Sequence, residues 1–312
     1  MRVVVALGGN ALVMRGEPLT DVQRDRARAA AQALAPVAQR HQLVLCQGDG
    51  PQVGLFALEA AAYEDVEVPP LDVLDAHSER VVGYLVEQEL RNVLPASLAV
   101  ATVLTSVEVD GSDAAFADPS RFVGPLYDAA QGRTMAEQYR WVFKPDGRFL
   151  RRVVPSPEPK RILEIGPIRS LLDHDTVVIC AGGGGVPAVR SGAGCVLERV
   201  EAVIDTDLVS ELLAREVDAD LLVMTTDVDA VYADWGTPKQ RAIRRATPEA
   251  LAETEFAAGS MGPKVRAACA FVEQTGGLAA IGSISDTPAL IRGEAGTTVT
   301  LDASGLEFGA VH

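Results

Sequence analysis

Four short segments of the sequence are rich in glycine or charge and follow apolar runs. They are LGGN at 7–10, QGDGPQVG at 47–54, AGGGGVP at 181–187 and TTDVDAVY at 225–232. Glycines at strand ends let backbone N–H groups approach an anion closely, and a following helix adds its positive end. A single GG pair is more often a tight turn than a phosphate loop. Four consecutive glycines are more specific, because each costs conformational entropy.

Two polar residues stand at predicted helix starts. Lys264 ends GSMGPK at 259–264, where a lysine opposes the helix dipole unless a bound polyanion compensates. A solvated surface lysine is the alternative. Thr206 lies between Asp205 and Asp207, and either Asp205 or Thr206 would cap the helix through its side-chain oxygen. Capping alone is therefore a sufficient structural reason for this segment.

Apolar runs and amphipathic segments alternate along the chain. The runs predict strands at 2–8, 43–48, 98–107, 176–182, 219–227, 278–284 and 297–301, and the segments between them predict helices at 21–40, 51–62, 75–94, 167–173, 205–217, 247–254, 263–275 and 286–292. This alternation indicates an α/β fold with a mainly parallel sheet covered on both faces. Ligands bind at the carboxyl ends of such strands, where the glycine-rich and charged segments lie.

Composition limits the class of partner and the compartment. The net charge of −15 argues against nucleic acid or an anionic membrane as a partner, although a local positive pocket could still bind a phosphorylated small molecule. The four cysteines, Cys46, Cys180, Cys195 and Cys269, form no CxxC pair, which is typical of buried free thiols in a reducing compartment. The first ten residues are too short an apolar run for a signal peptide or a membrane span. We therefore expect a cytoplasmic protein.

Two common nucleotide-binding motifs are missing from the sequence. It has no GxxxxGK[ST] segment and no GxGxxG that opens a helix after a strand. The first absence excludes a Walker P-loop, and the second argues against a dinucleotide-binding fold.

The motifs taken together resemble the carbamate kinases of the amino-acid kinase superfamily. Seven segments follow the family's order and spacing. They are VVALGGNAL at 4–12, GPQVG at 50–54, VATVLTSVEVD at 100–110, RRVVPSPEP at 151–159, GGGGVP at 182–187, EAVID at 201–205 and GSMGPK at 259–264. The resemblance implies one domain over 1–312, a three-layer αβα sandwich with a small protruding subdomain at about 108–160, and a homodimer. It also implies phosphoryl transfer between ATP and carbamate, mostly forming ATP from carbamoyl phosphate and ADP with Mg²⁺, in arginine metabolism.

The resemblance further implies roles for individual residues. The implied catalytic residues are Lys264, Asp207, Arg121 and Gly9. Lys264 would hold nucleotide phosphate oxygens. Asp207 would orient phosphate-binding lysines and help to place the metal. The implied substrate-binding residues are Asn10, Gln47, Gly48, Asp49, Gly50, Thr206, Gly183 and Gly184. The implied nucleotide-binding residues are Gly8, Gly9, Thr226, Asp227, Val228, Tyr232, Met261, Gly262 and Lys264.

The substrate side departs from the family's pattern at several positions. Thr206 replaces the lysine of an Asp-Lys-Asp motif, and Arg121 replaces a lysine on the subdomain. QGDG at 47–50 replaces His-Gly-Asn-Gly, and Glu79 and Arg80 replace Gln and Gly. Phosphoryl transfer depends on charge neutralisation, and losing one preorganised donor can cost about 10²–10³ in rate.

The nucleotide loops keep the family's pattern, so the departures predict a changed specificity more than a general decay. Arg121 could compensate in part, because its fork binds phosphate oxygens in a bidentate way. Asp49 would add a negative charge beside the acceptor, which suits a cationic or neutral acceptor better than carbamate.

Three functions remain open from the sequence. The first is an ATP-dependent phosphotransferase acting on carbamate or a related small acceptor. The second is a catalytically weak relative that serves as a nucleotide-binding or regulatory protein. The third is a nucleotide-binding enzyme of another class, such as an oxidoreductase.

Overall fold

The computed structural model describes residues 1–8, 21–48, 52–61, 69–191, 196–257 and 261–309. Within these ranges the strands are β1 (Arg2–Leu7), β2 (Gln42–Gln47), β3 (Val100–Thr102), β4 (Ser106–Val109), β5 (Arg121–Tyr127), β6 (Val142–Asp146), β7 (Phe149–Val154), β8 (Pro159–Ile162), β9 (Val177–Cys180), β10 (Val186–Ser191), β11 (Val196–Arg199), β12 (Leu221–Thr226), β13 (Val231–Ala233), β14 (Arg241–Ala246), β15 (Leu278–Ser283), β16 (Thr297–Val299) and β17 (Leu306–Phe308). The α-helices are α1 (Asp21–Ala38), α2 (Gln52–Ala61), α3 (Leu71–Val93), α4 (Ala129–Tyr139), α5 (Ile165–Asp173), α6 (Thr206–Glu216), α7 (Pro248–Ala252), α8 (Met261–Thr275) and α9 (Thr287–Ile291).

The largest sheet is mainly parallel, as predicted. Its order is β13-β14-β16-β15-β12-β1-β2-β9-β3, and β17 also pairs with β14. All neighbours from β15 to β3 run parallel. The antiparallel pairs are confined to the other end, where β15 meets β16 and where β14 meets β13 and β17.

Helices cover this sheet on both faces. In β1, Val3 and Val5 belong to an apolar core with residues of α1 and α3, such as Leu34 and Leu90. Val4, between them, belongs to a second core with residues of α6 and α8. Successive side chains of a strand point to opposite faces, so an unbroken apolar run such as VVVAL fills two cores at once. The three-layer α/β arrangement expected from the sequence is confirmed.

The run at 98–107 is not the single strand that was predicted. It forms β3, which pairs with β9 in the main sheet, and β4, which pairs with β8 and β10 in another sheet. At the transition, Thr105 is fully buried and its backbone N–H donates to the Glu79 carboxylate at 3.2 Å. The prediction was wrong because apolar periodicity does not reveal where a strand changes its hydrogen-bonding partner.

Two smaller sheets complete the described fold. One has the order β11-β10-β4-β8, and the other is the antiparallel sheet β5-β7-β6. The second lies wholly within 108–160, the segment expected to protrude. That this segment acts as a subdomain remains a prediction. In the described ranges, no helix is long and apolar enough to cross a bilayer.

Candidate active site

The carboxyl ends of the central strands bring three of the predicted segments together. Leu7 in β1 is in register with Gln47 in β2, and Cys46 is in register with Cys180 in β9. Just beyond the strand ends, the backbone N–H of Gly48 donates to the Leu7 carbonyl oxygen at 2.8 Å. The segments that follow β1, β2 and β9 therefore lie side by side at one edge of the sheet.

Gly8 rests against β12 on the other side. Its backbone N–H donates to Thr225 Oγ1 at 3.1 Å, and a Cβ at Gly8 would lie only 2.9 Å from the Thr225 carbonyl oxygen. Thr225 is fully buried and donates in turn to the Ala6 carbonyl oxygen at 3.1 Å. Thr225 has no role among the residues expected from the sequence, although a polar residue inside the apolar run of β12 was a usable signal.

The glycines at 182–185 form a tight turn with a free donor. Gly183, Gly184 and Gly185 have φ values of 67°, 99° and 72°, which glycine adopts without steric cost. A Cβ at Gly184 would lie 2.4 Å from the Ile204 carbonyl oxygen. Gly184 and Gly185 donate their N–H groups within the turn, whereas no described residue accepts the N–H of Gly183. That group is available to an anionic ligand.

The side chain of Asp205 caps α6. Asp205 has extended backbone geometry, and its Oδ1 accepts the backbone N–H of Asp207 at 2.9 Å. Thr206 is the first residue of the helix and makes no side-chain cap. Of the two capping residues considered from the sequence, Asp205 is the one the structure uses.

Two ion pairs meet at this helix start. Lys264 Nζ lies 2.8 Å from Asp207 Oδ1, and each side chain is only 14% exposed. Arg121 Nη1 lies 2.8 Å from Asp205 Oδ2. The solvated-surface alternative for Lys264 is therefore wrong. Lys264 Nζ is also 3.9 Å from a Cβ placed at Gly8, so the lysine connects the β1 loop with α6.

Burial dominates the electrostatics of Asp207. Desolvation raises the pKa of its carboxyl, and Asp205 raises it further, while Lys264 and Arg121 act in the opposite direction. The charges of Lys264 and Arg121 are balanced by the two carboxylates at this point. Among the described residues Arg121 uses only Nη1 in this site, which leaves Nε and Nη2 as donors for a ligand.

Two side chains on the substrate side are buried beside the glycine turn. Gln47 Nε2 donates to the Glu79 backbone oxygen at 3.3 Å, and within the described residues Gln47 Oε1 accepts no hydrogen bond. Glu79 Oε1 accepts the N–H of Gly182 at 3.1 Å. In the sequence Glu79 stands out only as a substitution, and its contact with the glycine turn is not predictable from the pattern.

The implied nucleotide residues occupy separate elements. Thr226 ends β12 opposite Ser283 of β15, and Met261 and Gly262 begin α8. Asp227 and Val228 follow β12 in the bend before β13.

Tyr232 lies in β13 at the far end of the sheet order. Its hydroxyl donates to Asp229 Oδ1 at 2.7 Å, and this hydrogen bond raises the pKa of Tyr232. The Tyr232 ring packs against the Trp235 ring with centroids 5.2 Å apart. Of the implied nucleotide residues, Lys264 belongs to an ion pair of the site and lies near Gly8, and the nucleotide-binding roles of the whole set remain predictions. The implied site residues Gly9, Asn10, Asp49 and Gly50 lie outside the described residues.

Comparison with known proteins identifies the family. Residues 1–282 match the amino acid kinase family. The chain is 54% identical over 310 residues to a carbamate kinase of Rhizobium meliloti, covering 99% of this chain and 96% of that protein. It is 49% identical to a carbamate kinase of Haemophilus influenzae, covering 99% of both. The solved carbamate kinase of Giardia lamblia bound to AMP-PNP superposes with a TM-score of 0.87 at 37% identity, covering 96% of this chain and 98% of that one. With its parallel sheet, its glycine turn and its paired lysine, this chain belongs to the carbamate kinase family of the amino acid kinases.

Proposed function

We propose that the protein is a carbamate kinase that transfers the phosphoryl group between carbamoyl phosphate and ADP. The observation that carries the proposal is the buried Lys264–Asp207 pair beside Gly8 and close to the glycine turn. Asp207 already balances the charge of this lysine and holds its ammonium group at the positive end of a helix, a place well suited to binding phosphate. The activity named for relatives at 54% and 49% identity supports the same function.

The chain's own groups would act by positioning and by neutralising charge. In phosphoryl transfer the developing charge lies on the phosphoryl oxygens, and there is little covalent chemistry for the protein to perform. Lys264 would bind phosphate oxygens while Asp207 keeps its ammonium group in place. Arg121 would add Nε and Nη2 donors from the three-stranded sheet, and Gly183 would add its free backbone N–H. Fixed donors in a dry site stabilise such charge more strongly than water does.

ADP and ATP would bring Mg²⁺ to the site. Mg²⁺ is commonly held by one or two carboxylates together with substrate phosphates, and it would offset phosphate charge when bound. In the described residues, no group of three or more His, Cys, Asp or Glu side chains could hold a metal ion. Asp207 could still supply one carboxylate to a Mg²⁺ ion held mainly by substrate phosphates, since its Oδ2 accepts no hydrogen bond from a described residue. Thr226, Asp227, Val228, Tyr232, Met261 and Gly262 would surround the base and ribose.

We expect a homodimer that works in the cytoplasm on small-molecule substrates of arginine metabolism. The net charge of −15 supports a small-molecule partner over nucleic acid.

The direct test is ATP formation from carbamoyl phosphate and ADP with Mg²⁺, measured by a coupled assay. Thermal unfolding is measured in parallel, and ADP with Mg²⁺ should raise the melting temperature whereas NAD should not. ATP formation at rates of about 1–10³ per second supports the proposal. Stabilisation by ADP with no turnover of carbamoyl phosphate would contradict it, and a screen of other small acids, amines and amides would then identify the acceptor.

A further inference from the structure

Glu79, in α3, is a buried carboxylate that accepts two backbone hydrogen bonds. Its side chain is 2% exposed. Oε1 accepts the N–H of Gly182 at 3.1 Å, and Oε2 accepts the N–H of Thr105 at 3.2 Å. Both donors are backbone N–H groups, so the Glu79 side chain fixes the positions of the backbone at Gly182 and Thr105.

The same residue reaches a third strand end through its own backbone. The Glu79 carbonyl oxygen accepts a hydrogen bond from Gln47 Nε2 at 3.3 Å. Gln47 ends β2, Thr105 precedes β4, and Gly182 follows β9. One residue of α3 thus connects three chain segments at the edge of the sheet where the candidate site lies.

Packing and a second hydrogen bond reinforce this connection. A Cβ at Gly182 would lie 2.8 Å from Glu79 Cγ and 2.9 Å from Gln47 Nε2, so the glycine turn rests directly on both side chains. Thr105 Oγ1 also accepts the N–H of Ala181 at 2.9 Å. Glu79 therefore accepts the N–H of Gly182, the first glycine of the turn, and Thr105 accepts the N–H of Ala181, the residue before it.

We propose that Glu79 is a positioning residue, which holds the glycine turn at 182–185 so that the free N–H of Gly183 faces the transferred group. The proposal rests on the proposed function for its effect on rate. Its structural part, the hold on the turn, does not depend on the identity of the acceptor.

The test substitution is Glu79→Met, which keeps the length of the side chain but removes both carboxylate acceptors, whereas Glu79→Gln would install the residue that the family has at this position. A thioether sulfur is only a weak acceptor. The N–H groups of Gly182 and Thr105 therefore both lose their acceptor in a buried place. The turn should shift while the fold persists.

Glu89 provides a matched control on the same helix. It is also 2% exposed, but its carboxylate pairs with Arg28 at 3.2 Å and Arg24 at 3.6 Å in α1. Glu89→Met therefore removes an equally buried carboxylate of α3, whose described hydrogen bonds and ion pairs do not involve the glycine turn.

Two measurements are made on both variants and on the unmodified protein. The first is steady-state ATP formation, in which Glu79→Met should lower kcat by about 10–100-fold, since small misplacements of positioning groups have effects of that size. The KM for ADP should change little, and Glu89→Met should keep kcat near that of the unmodified protein. The second is amide hydrogen exchange in the peptide covering 177–190, which should be faster only in Glu79→Met.

The outcomes separate this inference from the proposed function. If the unmodified protein forms no ATP, the proposed function fails, and the exchange comparison alone decides whether Glu79 holds the turn. Unchanged exchange in Glu79→Met overturns the inference. So does a loss of kcat no larger than that of Glu89→Met, because a general loss of stability would then explain both.

Discussion

Arg121 and Asp205 are 84 residues apart in the chain, and their side chains meet at 2.8 Å. The arginine begins β5 of the three-stranded sheet, and the aspartate caps α6. Arg121 is thereby held beside Asp207 and Lys264 in the candidate site. The side chain of Arg121 is 40% exposed, so the pair itself contributes little to stability, about 0–1 kcal/mol. Its importance lies in where it places a cation.

Arg121→Ala should therefore lower activity far more than stability. We expect kcat for ATP formation to fall about 10²–10³-fold, as for the loss of one preorganised donor, with Arg121→Lys retaining part of the activity. The control is Lys144→Ala, which removes an exposed ion pair with Asp118 on the same sheet. Equal activities of Arg121→Ala and Lys144→Ala would remove Arg121 from the site.

A glycine contact should control the position of the same arginine. A Cβ at Gly54, in α2, would lie 2.1 Å from Gly124 Cα in β5, which is too close for the backbones to remain in place. We expect Gly54→Ala to displace β5 and lower kcat, with no further loss when it is combined with Arg121→Ala. Gly166→Ala is the control, because a Cβ there meets nothing within 4 Å. Fully additive losses in the double variant would show that Gly54 acts by another route.

Individual residues show how far the sequence alone could predict the site. The glycine turn and Lys264 were predicted because glycine runs and a lysine at a helix start are unusual enough to require a reason. The Arg121–Asp205 pair could not be predicted from spacing, since it depends on how a separate sheet docks against α6. Glu79 stood out in the sequence only as a substitution. Its two carboxylate oxygens accept backbone N–H groups, and no sequence pattern reveals such contacts. The division of the 98–107 run into β3 and β4 could not be predicted either, because the hydrogen-bonding partner changes inside one apolar stretch.

Lys264 should be required for nucleotide binding. Hydrogen bonds to charged groups contribute about 1.5–3 kcal/mol, so Lys264→Met should weaken ADP binding by roughly 10–100-fold, measured by calorimetry. The variant should also be less stable, because Asp207 remains buried without its cation. The double variant with Asp207→Asn should recover stability but not ADP affinity. Recovery of both would indicate that the lysine serves only to neutralise the aspartate.

Asp207 should give the protein a specific pH dependence. Its pKa is raised above the ordinary 3.8, mainly by burial, so the folded protein keeps this proton at a pH where the unfolded chain has lost it. Stability from this group is therefore fully present below pH 3.8 and declines as pH rises towards the folded-state pKa. Asp207→Asn resembles the protonated form at every pH. Its free energy of unfolding, relative to that of the unmodified protein, should increase as the pH rises from 3.8 towards the folded-state pKa of Asp207, as measured by urea unfolding. A decrease over this interval would mean that Lys264 outweighs desolvation.

Thr206→Lys tests whether the substrate side has lost a cation. The substitution should leave α6 capped, because Asp205 provides the cap. The cost is a positive charge at a helix start, about 0.3–1 kcal/mol. Asp205 and Asp207 already hold Arg121 and Lys264, so a third cation would give the site a net positive charge that favours the phosphoryl group.

We expect Thr206→Lys to raise kcat for ATP formation from carbamoyl phosphate and ADP, by less than the about 10²–10³-fold that a preorganised donor can provide. A larger rise should follow when Gln47→His and Asp49→Asn are added, since residues that share a site are not additive. Thr206→Gln is the control, because it supplies a similar length without charge. If the unmodified protein already turns over at about 1–10³ per second and Thr206→Lys adds nothing, then Thr206 marks no change of substrate. Arg121 would in that case supply the charge, and the loss of activity in Arg121→Ala should be correspondingly large.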